Sequence, residues 1–209
     1  MIETKLEQPI MDIDGHIYRW KGEKKDCVSD ILKLVDVIQM QGIPARYLDE
    51  ASIRGSRVHE ATEDYDYGLL DILDDEWNRD NQDIVGYVMA YINFTEDEDY
   101  KGLPVATEIG LYSETLDMCG TIDLVKKVGN DLIIFDKKTS SKVGTLRSIL
   151  QLNAYRIMWN ENFDQKVEKL YILQLKPNGE YVVKEIRVAE NIVRQFKLLY
   201  DKIKGDKEL

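Results

Sequence analysis

Gly120-Thr121-Ile122-Asp123-Leu124-Val125-Lys126-Lys127-Val128-Gly129-Asn130-Asp131-Leu132-Ile133-Ile134-Phe135-Asp136-Lys137-Lys138 holds two extended segments around one turn. Residues 121–128 read as a strand, Gly129-Asn130-Asp131 supplies the turn, and Leu132 to Phe135 form a short continuous apolar run. Such a run is typical of a strand buried on both faces by flanking helices. If the segments make a hairpin about Asn130, Asp123 lies seven residues before it and Asp136 six after it. Both aspartates then fall near the same end of the strand pair, within reach of one cation. The two-residue strand period puts Asp136 and Lys138 on one face and Lys137 on the other.

Hard divalent cations take oxygen ligands, and Mg²⁺ is usually held by one or two carboxylates, water and substrate phosphate. An ion so held acidifies water and polarises phosphate. A lysine beside that water can orient or deprotonate it and steady the developing charge. The set therefore suits phosphodiester hydrolysis. An acid-x-Lys triplet alone decides nothing, since Glu3 to Lys5, Glu23 to Lys25, Asp99 to Lys101 and Asp164 to Lys166 repeat it. Only Asp136 to Lys138 ends an apolar strand with an acid at the paired position of the preceding one. Spacing by itself leaves a solvated strand end as the alternative.

Outward from this hairpin, the pattern alternates between helix and strand. Val105, Thr107, Ile109 and Leu111 alternate with Ala106, Glu108 and Gly110, which predicts a strand with the first set on one face. A helix is expected over 145–159, with Arg147, Gln151 and Tyr155 in one polar stripe and Leu146, Ile149, Leu150, Ile157 and Met158 on the buried side. Strands over 167–175 and 181–188 flank the turn Pro177-Asn178-Gly179, and an amphipathic helix over 191–204 follows. Upstream, helices are expected over 51–66 and 83–95. Asp14-Gly15 marks a hairpin turn within residues 10–20. Ser29 can cap a helix carrying Ile31, Leu32, Leu34, Val35 and Ile38, which Gly42 and Pro44 end. The order predicts an α/β (α+β) domain with a central mixed sheet flanked by helices.

The 209 residues favour one domain over 1–209, with an N-terminal hairpin and helix over 1–50 and the core over 51–209. A net charge of −11 makes the chain a poor blanket binder of nucleic acid, so any phosphate-binding charge must be local. Cys27 and Cys119 are too few for a disulfide scaffold, and we expect reduced thiols in a cytoplasmic protein. Two cysteines also cannot ligate an iron–sulfur cluster with four thiolates. No apolar run approaches the roughly 20 residues of a membrane span. No G-x-x-x-x-G-K-[ST] loop is present, so no ATP-driven motor is expected.

Gly120-Thr121-Ile122-Asp123, then Asp136-Lys137-Lys138-Thr139-Ser140, then Gln151-Leu152-Asn153-Ala154-Tyr155 resembles the RecB-like branch of the PD-(D/E)xK nucleases. Arg54-Gly55-Ser56-Arg57-Val58-His59 is similar to the R-G-x-x-x-H helix of its phage and CRISPR-associated members. Cys27-Val28-Ser29-Asp30-Ile31-Leu32 resembles the lead-in of phage-encoded members. Ile122 stands where the class name has proline, and Asp136 replaces the commoner glutamate.

The resemblance implies a restriction-endonuclease-like core and a Mg²⁺- or Mn²⁺-dependent deoxyribonuclease. It makes Asp123, Asp136, the Lys137 backbone carbonyl and His59 metal ligands, and Lys138 the catalytic lysine. Glu108 matches a family acid that serves a second ion or a bridging water. Gln151 and Tyr155 would position the site and the DNA strand. Arg54, Arg57, Lys142 and Arg147 are the leading phosphate contacts, with Lys126, Lys127, Lys137 and Arg156 also near the site in sequence. The expected role is a phage-type exonuclease in DNA recombination or repair, working with a single-strand annealing or recombination protein, or as a homo-oligomer. A structure-specific or single-strand endonuclease is the alternative, and a catalytically silent nucleic-acid-binding module is the alternative of another class. Trp20 and Trp77 could stack on bases or serve packing.

Overall fold

The computed structural model describes residues 4–12, 17–39, 44–141, 143 and 145–207. In chain order the elements are β1 (Ile10–Met11), β2 (Tyr18–Trp20), β3 (Glu23–Cys27), α1 (Val28–Gln39), α2 (Ala45–Asp66), α3 (Asp75–Asp80) and α4 (Val85–Glu96). They continue with β4 (Pro104–Ser113), β5 (Met118–Val128), β6 (Asp131–Lys138), α5 (Leu146–Asn162), β7 (Lys169–Leu175), β8 (Tyr181–Ile186) and α6 (Glu190–Lys207). The Asp14-Gly15 turn and Gly42 lie outside the described residues.

Among the described residues, eight strands make one mixed sheet. β5 is its centre. β4 runs antiparallel along one edge of β5. The other edge is shared: β3 pairs in parallel at Met118 and Cys119, and β6 pairs antiparallel from Leu124 to Val128. β6 then pairs β7 in parallel across α5, and β8 closes that side antiparallel. The expected hairpin is present, with Val128 opposite Asp131. Gly129 has φ +60°, which suits glycine at the first turn position of a tight hairpin.

Helices cover both faces, as the apolar run in β6 requires. On one side Ile122, Val125, Leu132, Ile134, Leu170 and Ile172 pack with Ile31, Leu32 and Val35 of α1, Leu150, Ile157 and Met158 of α5, and Val193 of α6. On the other, Leu124, Ile133, Phe135 and Leu173 pack with Val58 and Ala61 of α2 and with Tyr87, Val88, Tyr91 and Phe94 of α4. Thus α1 shares a core with α5, and the N-terminal strands continue the central sheet. Trp20 stacks on Tyr112 at 3.8 Å and Trp77 packs against the α4 core, so both rings serve packing.

Three local differences from the sequence reading have physical causes. α2 starts at Ala45 rather than near residue 51, because residues 45–50 are good helix formers that bury no apolar face. Pro44 precedes it with φ −59°, pre-set for a helix entry. α3 has no buried residue to betray it; its signal is Asp74, whose carboxylate accepts from the Glu76 and Trp77 N–H groups. Leu146, expected on the buried side of α5, is exposed in the first helical turn.

Candidate active site

The β5–β6 ladder ends at Leu124 and Phe135. The next pair in that register would be Asp123 and Asp136, and there the strands part. The Lys137 N–H donates to Asp123 Oδ2 at 2.7 Å, so a carboxylate fills the place of a ladder carbonyl. Asp136 and Lys138 share the face of Ile134, toward α5, while Lys137 shares the face of Phe135, toward α2. The two-residue period assigned these faces correctly.

The same period fails one strand away. Thr107 lies opposite Leu124 and Ile109 opposite Ile122, so the register does not slip between them. Yet Ile122 packs on the α5 side and Leu124 on the α4 side. Glu108 adopts φ +42°, a left-handed backbone that costs a non-glycine residue about 1–2 kcal/mol. This corrects the expectation that Val105, Thr107, Ile109 and Leu111 face one way: Ile109 joins the α5 core, while the Thr107 hydroxyl donates to Asp66 at the end of α2. The twist re-aims Glu108 at the α2 helix.

His59 meets it there. His59 Nδ1 lies 3.0 Å from Glu108 Oε1, and Nε2 lies 3.2 Å from the Lys137 carbonyl oxygen and 3.7 Å from Asp123 Oδ2. One ligand atom each from His59, Glu108 and Asp123 falls within 4.8 Å of the others. Asp136 is outside this trio but fully buried, and among the described residues its one polar partner is the Lys138 ammonium, 2.6 Å from Oδ2, while Oδ1 has none. A buried carboxylate held on one oxygen only is costly unless a further cation stands beside it. Carboxylates, a carbonyl and one imidazole are also ordinary donors for a divalent ion. The residues present therefore fit the metal that the sequence implies.

The electrostatics agree. Burial pushes Asp123 up to about 6; His59 opposes this, while Asp136 and Glu108 reinforce it. Burial works to lower His59, but the Asp123 and Glu108 carboxylates reverse that and hold the imidazole above its ordinary value. Burial works to raise Glu108, yet the His59 hydrogen bond and the Lys137 ammonium keep it below the usual carboxylate range. Tyr155 is held well above the usual phenol range by burial and then by Asp123 and Asp136. Both aspartates thus act on a single hydroxyl.

The α5 stripe runs into this centre. Arg147 Nη1 donates to Gln151 Oε1 at 3.3 Å, and Gln151 Nε2 donates to the Tyr155 hydroxyl at 3.1 Å. Gln151 and Tyr155 are buried, so the stripe points inward and not to solvent. Gly120 makes room for the ring, since a Cβ there would stand 2.9 Å from Tyr155 Cε1. Between α1 and β5 a cavity of about 480 Å³, lined by Tyr18, Ser29, Lys33, Asp123 and Tyr155 among others, opens onto the site.

The structure thus brings together His59, Glu108, Asp123, Asp136, Lys137, Lys138, Gln151 and Tyr155. The cations stand differently. Lys126 and Lys137 are 0% and 1% exposed, which removes both ammonium groups from the set of phosphate contacts. Arg57 pairs with Asp83, Arg147 with Asp36, and Arg156 with Glu190. Arg54 lies 5.5 Å over the Tyr87 ring, and its Nε is buried without a partner among the described residues. Lys142 lies outside the described residues. Sequence reasoning missed the Lys137 side chain. Its signal is a lysine at an apolar beat of a buried strand.

No helix among the described residues is long and apolar enough to cross a membrane. No curated protein matches the chain. Among solved structures, the chain is similar to a Eubacterium rectale protein provisionally described as an exonuclease. The two share 14% identity at a TM-score of 0.45, over 73% of this chain and 65% of that one. The chain thus spans less than two thirds of that protein. The model of the PD-(D/E)XK nuclease superfamily matches residues 31–206. With that match spanning most of the sequence, the chain belongs to the PD-(D/E)XK nuclease superfamily.

Proposed function

We propose that this chain is a Mg²⁺- or Mn²⁺-dependent DNA exonuclease of the RecB-like, phage type, acting on DNA ends during recombination or repair. The observation that carries the hydrolytic part is the convergence of His59 Nε2, Asp123 Oδ2 and the Lys137 carbonyl, with the buried Asp136 carboxylate close enough to act on Asp123. These four groups would hold the ion. When bound, a divalent ion acidifies water and polarises the scissile phosphate. Glu108 fixes the His59 ring through Nδ1, leaving Nε2 to face the site. The Lys138 side chain lies 2.6 Å from the Asp136 carboxylate, where it can donate to the attacking water and to charge developing on the phosphate. Gln151 and Tyr155 form a hydrogen-bonded wall that orients the strand, and Arg147 continues it outward. Arg54, Arg57, Lys142 and Arg147 would contact phosphates, with the ion pairs of Arg57 and Arg147 exchanged for DNA oxygens on binding.

End-labelled single-stranded, duplex and closed circular DNA, each incubated with Mg²⁺ and with Mn²⁺, tests this. Release of nucleotides from ends, with circles intact, is expected. Lys138→Ala should lower turnover at least about 100-fold while Mn²⁺ binding persists. Cleavage of circles would favour the endonuclease alternative. No cleavage of any form with either ion would leave a silent DNA-binding module.

A further inference from the structure

We propose that the buried Lys137 ammonium is the resident counter-ion of Glu108, and that this pair restricts the active site to one divalent cation. The inference rests on the metal-dependent nuclease reading above, and deepens it. Lys137 occupies the position on β6 that would normally take an apolar residue, between the α2 and α4 side chains that cover Phe135. Its side chain is 0% exposed. The ammonium lies 2.9 Å from Glu108 Oε1, donates to Thr62 Oγ1 at 2.9 Å, and sits 5.5 Å over the Tyr91 ring. The same Oε1 faces His59 Nδ1 at 3.0 Å. One oxygen therefore meets two N–H donors.

A buried lysine with so few partners is expensive unless a fixed charge needs it. Glu108 is that charge, held at this spot by its left-handed backbone. The ammonium stands where a cation bound to Glu108 would otherwise stand. One layer back, Asp66 accepts from Tyr91 and Thr107 and acts on both buried ammonium groups, Lys137 and Lys126, but among the described residues Glu108 is the carboxylate in contact with Lys137.

Charge balance leads to the same count. Among the groups in contact at the site, the carboxylates of Glu108, Asp123 and Asp136 oppose the ammonium groups of Lys137 and Lys138, leaving one net negative charge with His59 neutral; the Glu63 carboxylate, which feels both Glu108 and Lys137, stands partly in solvent, where water screens it. One divalent ion and one phosphodiester bring that to zero. A second divalent ion would leave two positive charges among these groups. Lys137 is thus a positioning residue: it acts through Glu108 on the His59 ring and never touches the substrate.

The test is a calorimetric Mn²⁺ titration of the full chain without DNA, with folding checked by thermal melts. Wild type is expected to bind one Mn²⁺. Lys137→Met releases Glu108 and should add a second Mn²⁺. The charge-neutral pair Glu108→Gln with Lys137→Met keeps an acceptor for His59 Nδ1 without the free carboxylate, and should return the count to one Mn²⁺. Two ions in wild type, or one in Lys137→Met, would overturn the proposal. So would a second ion in the double variant. Lys137→Gln, which keeps an N–H donor but not the charge, decides the matter if Lys137→Met does not fold: two ions are expected, and one would overturn the proposal. Wild type that binds no Mn²⁺ sinks this proposal together with the metal-nuclease reading; the other adverse outcomes sink this proposal alone.

Discussion

Replacing Asp136 by Asn should make the metal-free protein more stable. The carboxylate is fully buried, and among the described residues the Lys138 ammonium at Oδ2 is its single partner, with Oδ1 left without one. A buried polar atom without its hydrogen bond costs about 1–3 kcal/mol in proteins, and more of that cost falls on a charged group than on a neutral one. The amide is isosteric and neutral, so the part of the penalty due to charge should vanish. The cost of stranding Lys138 is small, because its side chain is 23% exposed and can turn to water. A net gain of about 1–2 kcal/mol corresponds to about 2–8 °C for a chain of this size. Adding Mn²⁺ should reverse the order. At a hundredfold excess over Kd a ligand stabilises wild type by about 2.7 kcal/mol, and the amide forfeits most of that gain. Thermal melts of both proteins, stripped with chelator and then with Mn²⁺ restored, measure the crossing. If the Asn variant melts below wild type without metal, or gains as much from Mn²⁺, Asp136 is not a carboxylate kept at a stability cost for a cation.

Mn²⁺ affinity should fall with acidity in two stages. His59 and Asp123 both bind protons above their ordinary values and must release them to ligate. Affinity should therefore drop about tenfold per pH unit below the His59 value and about a hundredfold per unit below about 6; a flat calorimetric profile from pH 8 to 5 would contradict this. The sign reverses for the metal-free fold. Asp123 holds its proton longer when folded, so its contribution to stability is full below about 4 and is lost as pH rises through about 6. The His59 contribution is full below about 6.5 and lost above its raised folded value, which urea melts along the pH scale will register. Gly120→Ala should cost about 1–3 kcal/mol, since its Cβ would meet Tyr155 Cε1 at 2.9 Å and Val28 Cγ2 at 3.1 Å. Because the displaced ring belongs to Tyr155, turnover should fall more than Mn²⁺ affinity; wild-type turnover with reduced stability would reduce Tyr155 to packing.

Most of the β5–β6–α5 unit was legible because its chemistry follows chain periodicity. A glycine-led hairpin fixes register, register places Asp123 against Asp136, and the two-residue period separates Lys138 from Lys137. What could not be read were the departures from period. Nothing local to Glu108 announces φ +42°; that conformation exists because His59 and Lys137, 49 and 29 positions away, both bond the re-aimed carboxylate. Likewise Lys126 and Lys137 look like free phosphate contacts in a basic run, and only the tertiary cover of α2 and α4 turns them into buried charges. The two failures have one origin. A site that must gather carboxylates needs positive charge supplied from within, and a strand can deliver it only by placing lysine where periodicity calls for an apolar side chain. The positions at which this sequence breaks the rules of its own fold, Glu108 and Lys137, are therefore the ones that set how the cation is held, and not defects that the remaining core must absorb.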